Sequence, residues 1–302
     1  MAITGTGTEL DPFIVHSYDE IKETVGSSTT GDTYTKLAND IDCNSYGADF
    51  EWETISAPSN SLRFFDLDGH TIKNVYIKND NYMFKGYNNS YRISIYNGKI
   101  LNVFGSSVKG FMISGDFANL SISLQFTTIS DSQIFNTVKM RSCALYIILL
   151  NGTGRTLFGT GSVDIQNLDL YLEVYNINST TNSNAFRVMG QASGTFTYDS
   201  IRLVGKAHMG ESCAYANTMI AAGKMTNSAV DFDMTEFGEM SGGSSSYNAI
   251  GGTSNNTTVI NSALLPSNVV VPTGYLSAPS SQAMRTGADL RSLGFTVVNV
   301  EE

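Results

Sequence analysis

The sequence predicts an all-β chain built as a single-stranded parallel β-solenoid. Three observations carry this expectation. The first is the stretch Phe64-Phe65-Asp66-Leu67-Asp68-Gly69-His70-Thr71-Ile72-Lys73-Asn74-Val75-Tyr76-Ile77, which turns at Asp68-Gly69 and again at Asn74. A chain that turns every few residues forms short strands that stack on neighbouring coils, not long hairpins. The second is recurrence of one pattern, Asn or Asp followed by alternating apolar residues, at Asn74, Asn102, Asn119, Asn136, Asn167, Asp199, Asn227 and Asn261. The spacing is uneven, closest from Asn102 to Asn119 and from Asn119 to Asn136 and widest from Asn227 to Asn261, in the range of one coil with loops of varying length. The third is composition. Charged residues make up 15% of the 302, below the roughly 25% usual for soluble domains, and only five prolines interrupt the hydrogen-bond ladder.

The elements follow in order. Residues 1–63 form an expected entry and capping segment. Phe13-Ile14-Val15 is a short strand, and Ser17-Tyr18-Asp19-Glu20 has the form of a capping box. Ile21 and Val25 share a helical face, and Gly26 ends the helix. So short a helix is unstable alone and suits a lid over the first coil. Tyr34-Thr35-Lys36-Leu37 and Asp40-Ile41-Asp42 are extended. Residues 64–265 are the expected solenoid, with Asp68-Gly69 in its first full coil. Period-two alternation buries one side of each strand, and stretches such as 168–174 are long enough to bend through two faces. Equivalent Asn residues are placed to form a ladder along the stack. Residues 266–302 are an expected tail: a helix over 280–294 with a Ser cap and a Gly stop, then the strand Phe295–Val300, closing the end or holding a neighbouring subunit.

Charge and motifs exclude several function classes. The net charge of -10 disfavours nucleic-acid backbones and anionic lipid surfaces. The longest apolar run, 144–150, is too short to span a bilayer. The N-terminus carries no basic, apolar leader, so no secretory signal is expected. Cys43, Cys143 and Cys213 have neither disulfide nor zinc spacing and read as buried thiols. Gly242-Gly243 and Gly251-Gly252 do not join a strand to a helix, so no phosphate cradle and no cofactor is expected. Asp66-Leu67-Asp68-Gly69 is a calcium-loop fragment lacking its later ligands, and no metal site is expected. His16, His70 and His208 are far apart and read as turn or surface residues.

Three stretches carry a resemblance. They are Gly5-Thr6-Gly7-Thr8 through Asp11-Pro12-Phe13-Ile14-Val15 with the helix after it, Tyr34 through Asp42, and Phe65 through Asn74. In this order they resemble the entry region of the pectate-lyase-like right-handed parallel β-helix superfamily, as found in bacterial surface proteins and in bacteriophage and prophage virion proteins. Ala288 through Phe295 also resembles a tail segment that follows such helices. The resemblance implies a right-handed winding and a virion protein: a capsid decoration, tail fibre or tail spike, commonly a homotrimer that meets other virion proteins. With no signal or wall anchor expected, the virion reading is preferred over a bacterial surface adhesin. The resemblance fits an enzymatically silent virion protein as well as one that cleaves polysaccharide, and both classes stay open.

For cleavage, the catalytic candidates are Asp231 and Asp233, two residues apart on one strand face, with Glu236, Asp164, Asp169 and Arg202 as neighbours. An ordinary solvated face explains them better. For contact with a host-surface glycan or with another subunit, the candidates are Trp52, Tyr171, Tyr175 and Tyr247. Packing beside Phe50 is the preferred reading of Trp52, and burial between subunits is preferred for the tyrosines.

Overall fold

The computed structural model describes residues 2–28, 31–88, 90–129, 133–152, 156–158, 163–177, 187–189, 196–209, 224–226, 228–233, 258–260 and 263–264. Within them the chain winds as a parallel β-solenoid with three stacked faces. Face A stacks Phe13–Val15, Thr33–Leu37, Arg63–Asp66 and then 93–96, 115–118, 138–141, 163–166, 196–199, 224–226 and 258–260. Face B stacks Ile41–Asp42, Thr71–Tyr76 and the segments after them, through Ala229–Asp233 to Ala263–Leu264. Face C stacks Ile55–Ser56, Tyr82–Lys85, 110–113, 133–136, Thr156–Phe158 and Arg187–Met189. Several strands pass through corners without a break, as Gly110–Ile129 and Val163–Ile177 do.

The core follows from register. On face B, Ile41, Ile72, Ile100, Ile122, Leu145, Leu170, Leu203, Val230 and Leu264 occupy one ladder, each paired with the next. From Ile41 to Leu203 these side chains are buried. Stacking like on like at about 4.8 Å per coil keeps each branched side chain against its own kind and leaves no room for water. Beside the ladder runs a chain of aromatic rings. Tyr18, Trp52, Phe84, Phe111, Phe135 and Phe158 succeed one another with centroids 4.6, 5.8, 6.4, 5.5 and 5.6 Å apart.

One corner is constant. Ile95 to Ile100, Phe117 to Ile122, Met140 to Leu145, Ile165 to Leu170, Tyr198 to Leu203, Met225 to Val230 and Val259 to Leu264 are all five-residue steps from face A to face B. Where this turn falls on described residues, one residue takes a left-handed conformation: Asn97, Asn119, Ser142, Asn167 and Ser200, with φ of 53–60°. Small polar side chains tolerate that conformation and bond locally. Asn119 Nδ2 donates to Asn97 Oδ1 at 3.1 Å, and Asn167 Nδ2 donates to Ser142 Oγ at 3.2 Å.

The expected asparagine ladder therefore exists but divides. Asn119 and Asn167 belong to this corner. Asn74 and Asn102 belong to a second bend within face B, where Asn102 donates to Asn74 at 3.2 Å and Asn74 to Asp42 at 2.9 Å. Mixing two bends made the sequence period look irregular. Measured along face A, coils still differ in length: the one from Ile95 to Phe117 is short, and the one from Lys224 to Thr258 is long.

Asp68-Gly69 does mark this corner, with two extra residues relative to later coils. It does not lie in the first coil, because 33–56 already forms one beneath it. The boundary expected at residue 63 thus cuts through stacked strands, not between cap and solenoid. Gly69 has φ +83°, yet a Cβ there meets nothing within 4 Å. Gly69→Val should therefore cost only backbone strain, about 1–2 kcal/mol, with folding intact. A denaturant midpoint checks this, and failure to fold would show that the turn is packed more tightly. Gly205 is the opposite case: at φ +151° its Cβ would lie 1.8 Å from Leu172 O of the neighbouring coil.

The N-terminal end is closed as expected. The helix Tyr18–Thr24 buries Tyr18, Ile21 and Thr24, and Ser17 Oγ accepts from Glu20 N at 3.3 Å. Glu20 reaches one residue further back than a standard capping box and accepts from His16 N at 2.6 Å. Thr4 bridges Ile14 in antiparallel fashion and covers part of the first strand's free edge. Cys43 and Cys143 are buried free thiols, and burial pushes them up to about 12 and about 11. Cys213 and the expected tail over 266–302, including its helix, lie outside the described residues.

Candidate functional site

The outward side of face B gathers the side chains of greatest functional interest. Alternation along 168–175 buries Leu168, Leu170, Leu172 and Val174 and turns Tyr171, Glu173 and Tyr175 out. Register then adds neighbours from adjacent coils. Tyr146 pairs with Tyr171, and their rings stack at 4.8 Å and 7°. His208, one coil further, stacks on Tyr175 at 4.2 Å and 4°.

Glu173 is the hub. The Tyr175 hydroxyl donates to Oε1 at 2.7 Å, the Tyr171 hydroxyl to Oε2 at 3.3 Å, and His208 Nε2 lies 3.1 Å from Oε1. The Tyr175 hydroxyl first, with His208 and Tyr171, holds the Glu173 carboxyl below its ordinary value against the opposing effect of burial. Burial and the Glu173 charge push the Tyr171 phenol up to about 12. A carboxylate kept ionised by three partners has no proton to give a leaving group. What the cluster presents is aromatic rings beside a fixed, charged acceptor.

The sign of the Glu173 shift has a measurable result. A depressed folded pKa contributes stability above the unfolded value, near 4.3, and that contribution is lost as pH falls through the folded value. Melting curves from pH 7 to pH 3 should fall less steeply for Glu173→Gln than for the native chain. Equal slopes would mean that the three bonds do not stabilise the charged form.

Of the carboxylates singled out for cleavage, Asp164 and Asp169 do not converge. Asp164 is on face A and bonds Arg141. Asp169 is around the corner on face B, 3.8 Å from Arg202. By backbone register Asp231 sits beside Val204, and Asp233 beside Lys206, continuing the rows that hold Tyr171 and Glu173. Their side chains, Glu236 and Tyr247 lie outside the described residues.

Trp52 is not a surface platform. It is fully buried, donates its indole N–H to Met83 O at 3.0 Å, and belongs to the aromatic chain of the core. His16 and His70 are bound to Glu20 and Asp40 at 3.3 and 3.2 Å at turns. The sequence singled out Tyr171 and Tyr175, which do face outward, but passed over Glu173, although alternation places it between them. Tyr146 and His208 each lie a full coil away along the chain from their stacking partners, so only register reveals them.

Among the described residues no group of three or more His, Cys, Asp and Glu side chains is placed to hold a metal, and no helix is long and apolar enough to cross a membrane. No family model, curated protein or solved structure matches the chain. The fold defines its class, a parallel β-solenoid.

Proposed function

We propose that this chain is a structural component of a bacteriophage virion, a capsid decoration or a tail fibre or spike. It assembles as a homotrimer and touches host-surface glycans. The resemblance of the entry stretches supports the virion assignment. The observation that carries the glycan contact is the band Tyr146–Tyr171, Glu173 and Tyr175–His208, which offers ring surface and an ionised acceptor together. Sugars need both, an apolar wall for their C–H faces and fixed partners for their hydroxyls. The exposed Tyr76 and Phe104, paired on the same face, stand further along the row of Glu173, beyond Gln125 and Ile148.

The test is titration of the full chain with host-surface polysaccharides. Size analysis of the polymer and light scattering accompany it. Saturable binding to an uncut polymer by a trimer, weakened about tenfold or more in Tyr171→Ala/Tyr175→Ala, supports the reading. Shortened polymer would move the chemistry to Asp231 and Asp233 and overturn the non-enzymatic assignment. A monomeric mass at micromolar concentration would overturn the trimer.

A further inference from the structure

Face A carries a groove formed by one short side chain. Two outward rows run down this face. One holds Tyr96, Ala118 and Arg141, and the other Ser94, Asp116 and Lys139. Ala118 is the short residue between two long ones. Its neighbours are one coil away on each side, so a slot two coil steps wide, about 9–10 Å, separates Tyr96 from Arg141. The result is a groove of ≈ 180 Å³ lined by these six side chains over Ile95 and Phe117. That is below the usual range for drug-sized ligands and suits one small ring.

The lining has a particular chemistry. Asp116 is bonded to Arg92 at 2.8 Å, and Arg141 is turned to Asp164. Each carboxylate is therefore paired with one arginine. Lys139 is exposed and forms no salt bridge among the described residues, in a chain of net charge -10. The Tyr96 hydroxyl likewise makes no hydrogen bond among them. Burial pushes the Asp116 carboxyl up despite Arg92, the charge and backbone N–H of Lys139, and Arg141, marking a partly dehydrated acceptor. A simple anion would meet Asp116 unfavourably. A ring that carries both hydroxyls and a carboxylate satisfies the whole set: hydroxyls to Asp116 and Ser94, C–H face on Tyr96, carboxylate to the Lys139 ammonium.

We propose that this groove seats one acidic sugar residue, of the uronate class, within a longer glycan. The proposal rests on the glycan-contact reading above but places a subsite on a different face.

Glucuronate and glucose, titrated separately into the full chain, test it. Glucuronate should bind saturably and glucose about tenfold more weakly. Lys139→Gln should erase that difference, and Ala118→Phe, which fills the slot from the solvent side, should abolish binding. Absence of saturable glucuronate binding overturns the proposal. So does binding retained in Ala118→Phe, or a preference unchanged in Lys139→Gln, which decides the matter if Ala118→Phe folds poorly. Tyr171→Ala/Tyr175→Ala should leave glucuronate binding intact. Polysaccharide binding lost there but kept in Ala118→Phe overturns the groove and spares the earlier reading. Glucuronate binding through Lys139, with no polysaccharide bound, supports the groove and overturns the role of the tyrosine band.

Discussion

Trp52→Ala should destabilise the folded chain by about 3–5 kcal/mol. The ring is fully buried and joins Tyr18 of the capping helix to Phe84 of the solenoid, at 4.6 and 5.8 Å. Its removal opens a cavity at the junction of cap and coils and strips Met83 O of its donor. The backbone at this point is pinned on both sides, with Trp52 N donating to Tyr76 O at 2.7 Å and Lys78 N donating to Trp52 O at 3.0 Å, so collapse into the cavity is restricted. Trp52→Phe keeps an aromatic ring and loses chiefly the indole bond, about 1–2 kcal/mol. Because Trp52 is the only tryptophan, unfolding has to be followed by circular dichroism. A loss below about 1 kcal/mol in Trp52→Ala would mean that the aromatic chain is not part of the stabilising core. Glycan binding unchanged in Trp52→Phe would agree with its burial.

Arg63→Met should release the segment that connects cap to coil. Arg63 is fully buried at the start of a face A strand, where Ile93 occupies the same position one coil later. Its guanidinium donates to four backbone carbonyls: Val25 at 3.2 Å, Ser27 at 2.9 Å, Gly31 at 2.9 Å and Leu62 at 3.1 Å. The planar fork satisfies acceptors that the chain after the helix would otherwise leave bare. Burial lowers the Arg63 pKa and the nearby Asp32 opposes that shift. Methionine fills comparable space and donates nothing, so several carbonyls lose their partner at about 1–3 kcal/mol each, offset in part by entering water. A net loss of about 3–5 kcal/mol is expected, with faster proteolysis between Val25 and Gly31. Arg63→Lys should recover little, since a single ammonium cannot span the four acceptors. Native-like melting and native-like protease resistance in Arg63→Met would show that the fork is dispensable.

What the sequence revealed and what it concealed divide along the range of the physics. Local signals were readable. Alternation marked Leu168 through Val174 as a strand with one wet side, Ser17 and Glu20 marked a helix start, and Asp68-Gly69 marked a turn. These depend on neighbours a few residues apart. Register does not, because a coil as short as Ile95 to Phe117 and one as long as Lys224 to Thr258 satisfy the local pattern equally well. Asn74 and Asn119 look alike in sequence, yet they occupy different bends. Asp164 and Asp169 look like one cluster, yet the corner at Asn167 sends them to separate faces. Arg63 was invisible because an arginine between Leu62 and Phe64 gives no sign of whether it meets solvent or a row of carbonyls. The groove at Ala118 was hidden for a related reason: a small residue becomes a site only when the residues above and below it are known.

The five-residue step from face A to face B has a consequence for how such a chain tolerates change. From Ile95 onward, variation in coil length falls mainly on the return path that leads from face B to the next face A strand. The step that sets strand alignment stays constant over seven successive coils. Insertions on the return path therefore leave the aliphatic ladder in phase. Adding or removing one residue within the step would turn inward side chains out on every strand position that follows in that coil. The molecule thus separates a metronome from a melody. One flank keeps time for the stack, and the other is free to acquire new loops, and with them new surfaces, without retuning the core.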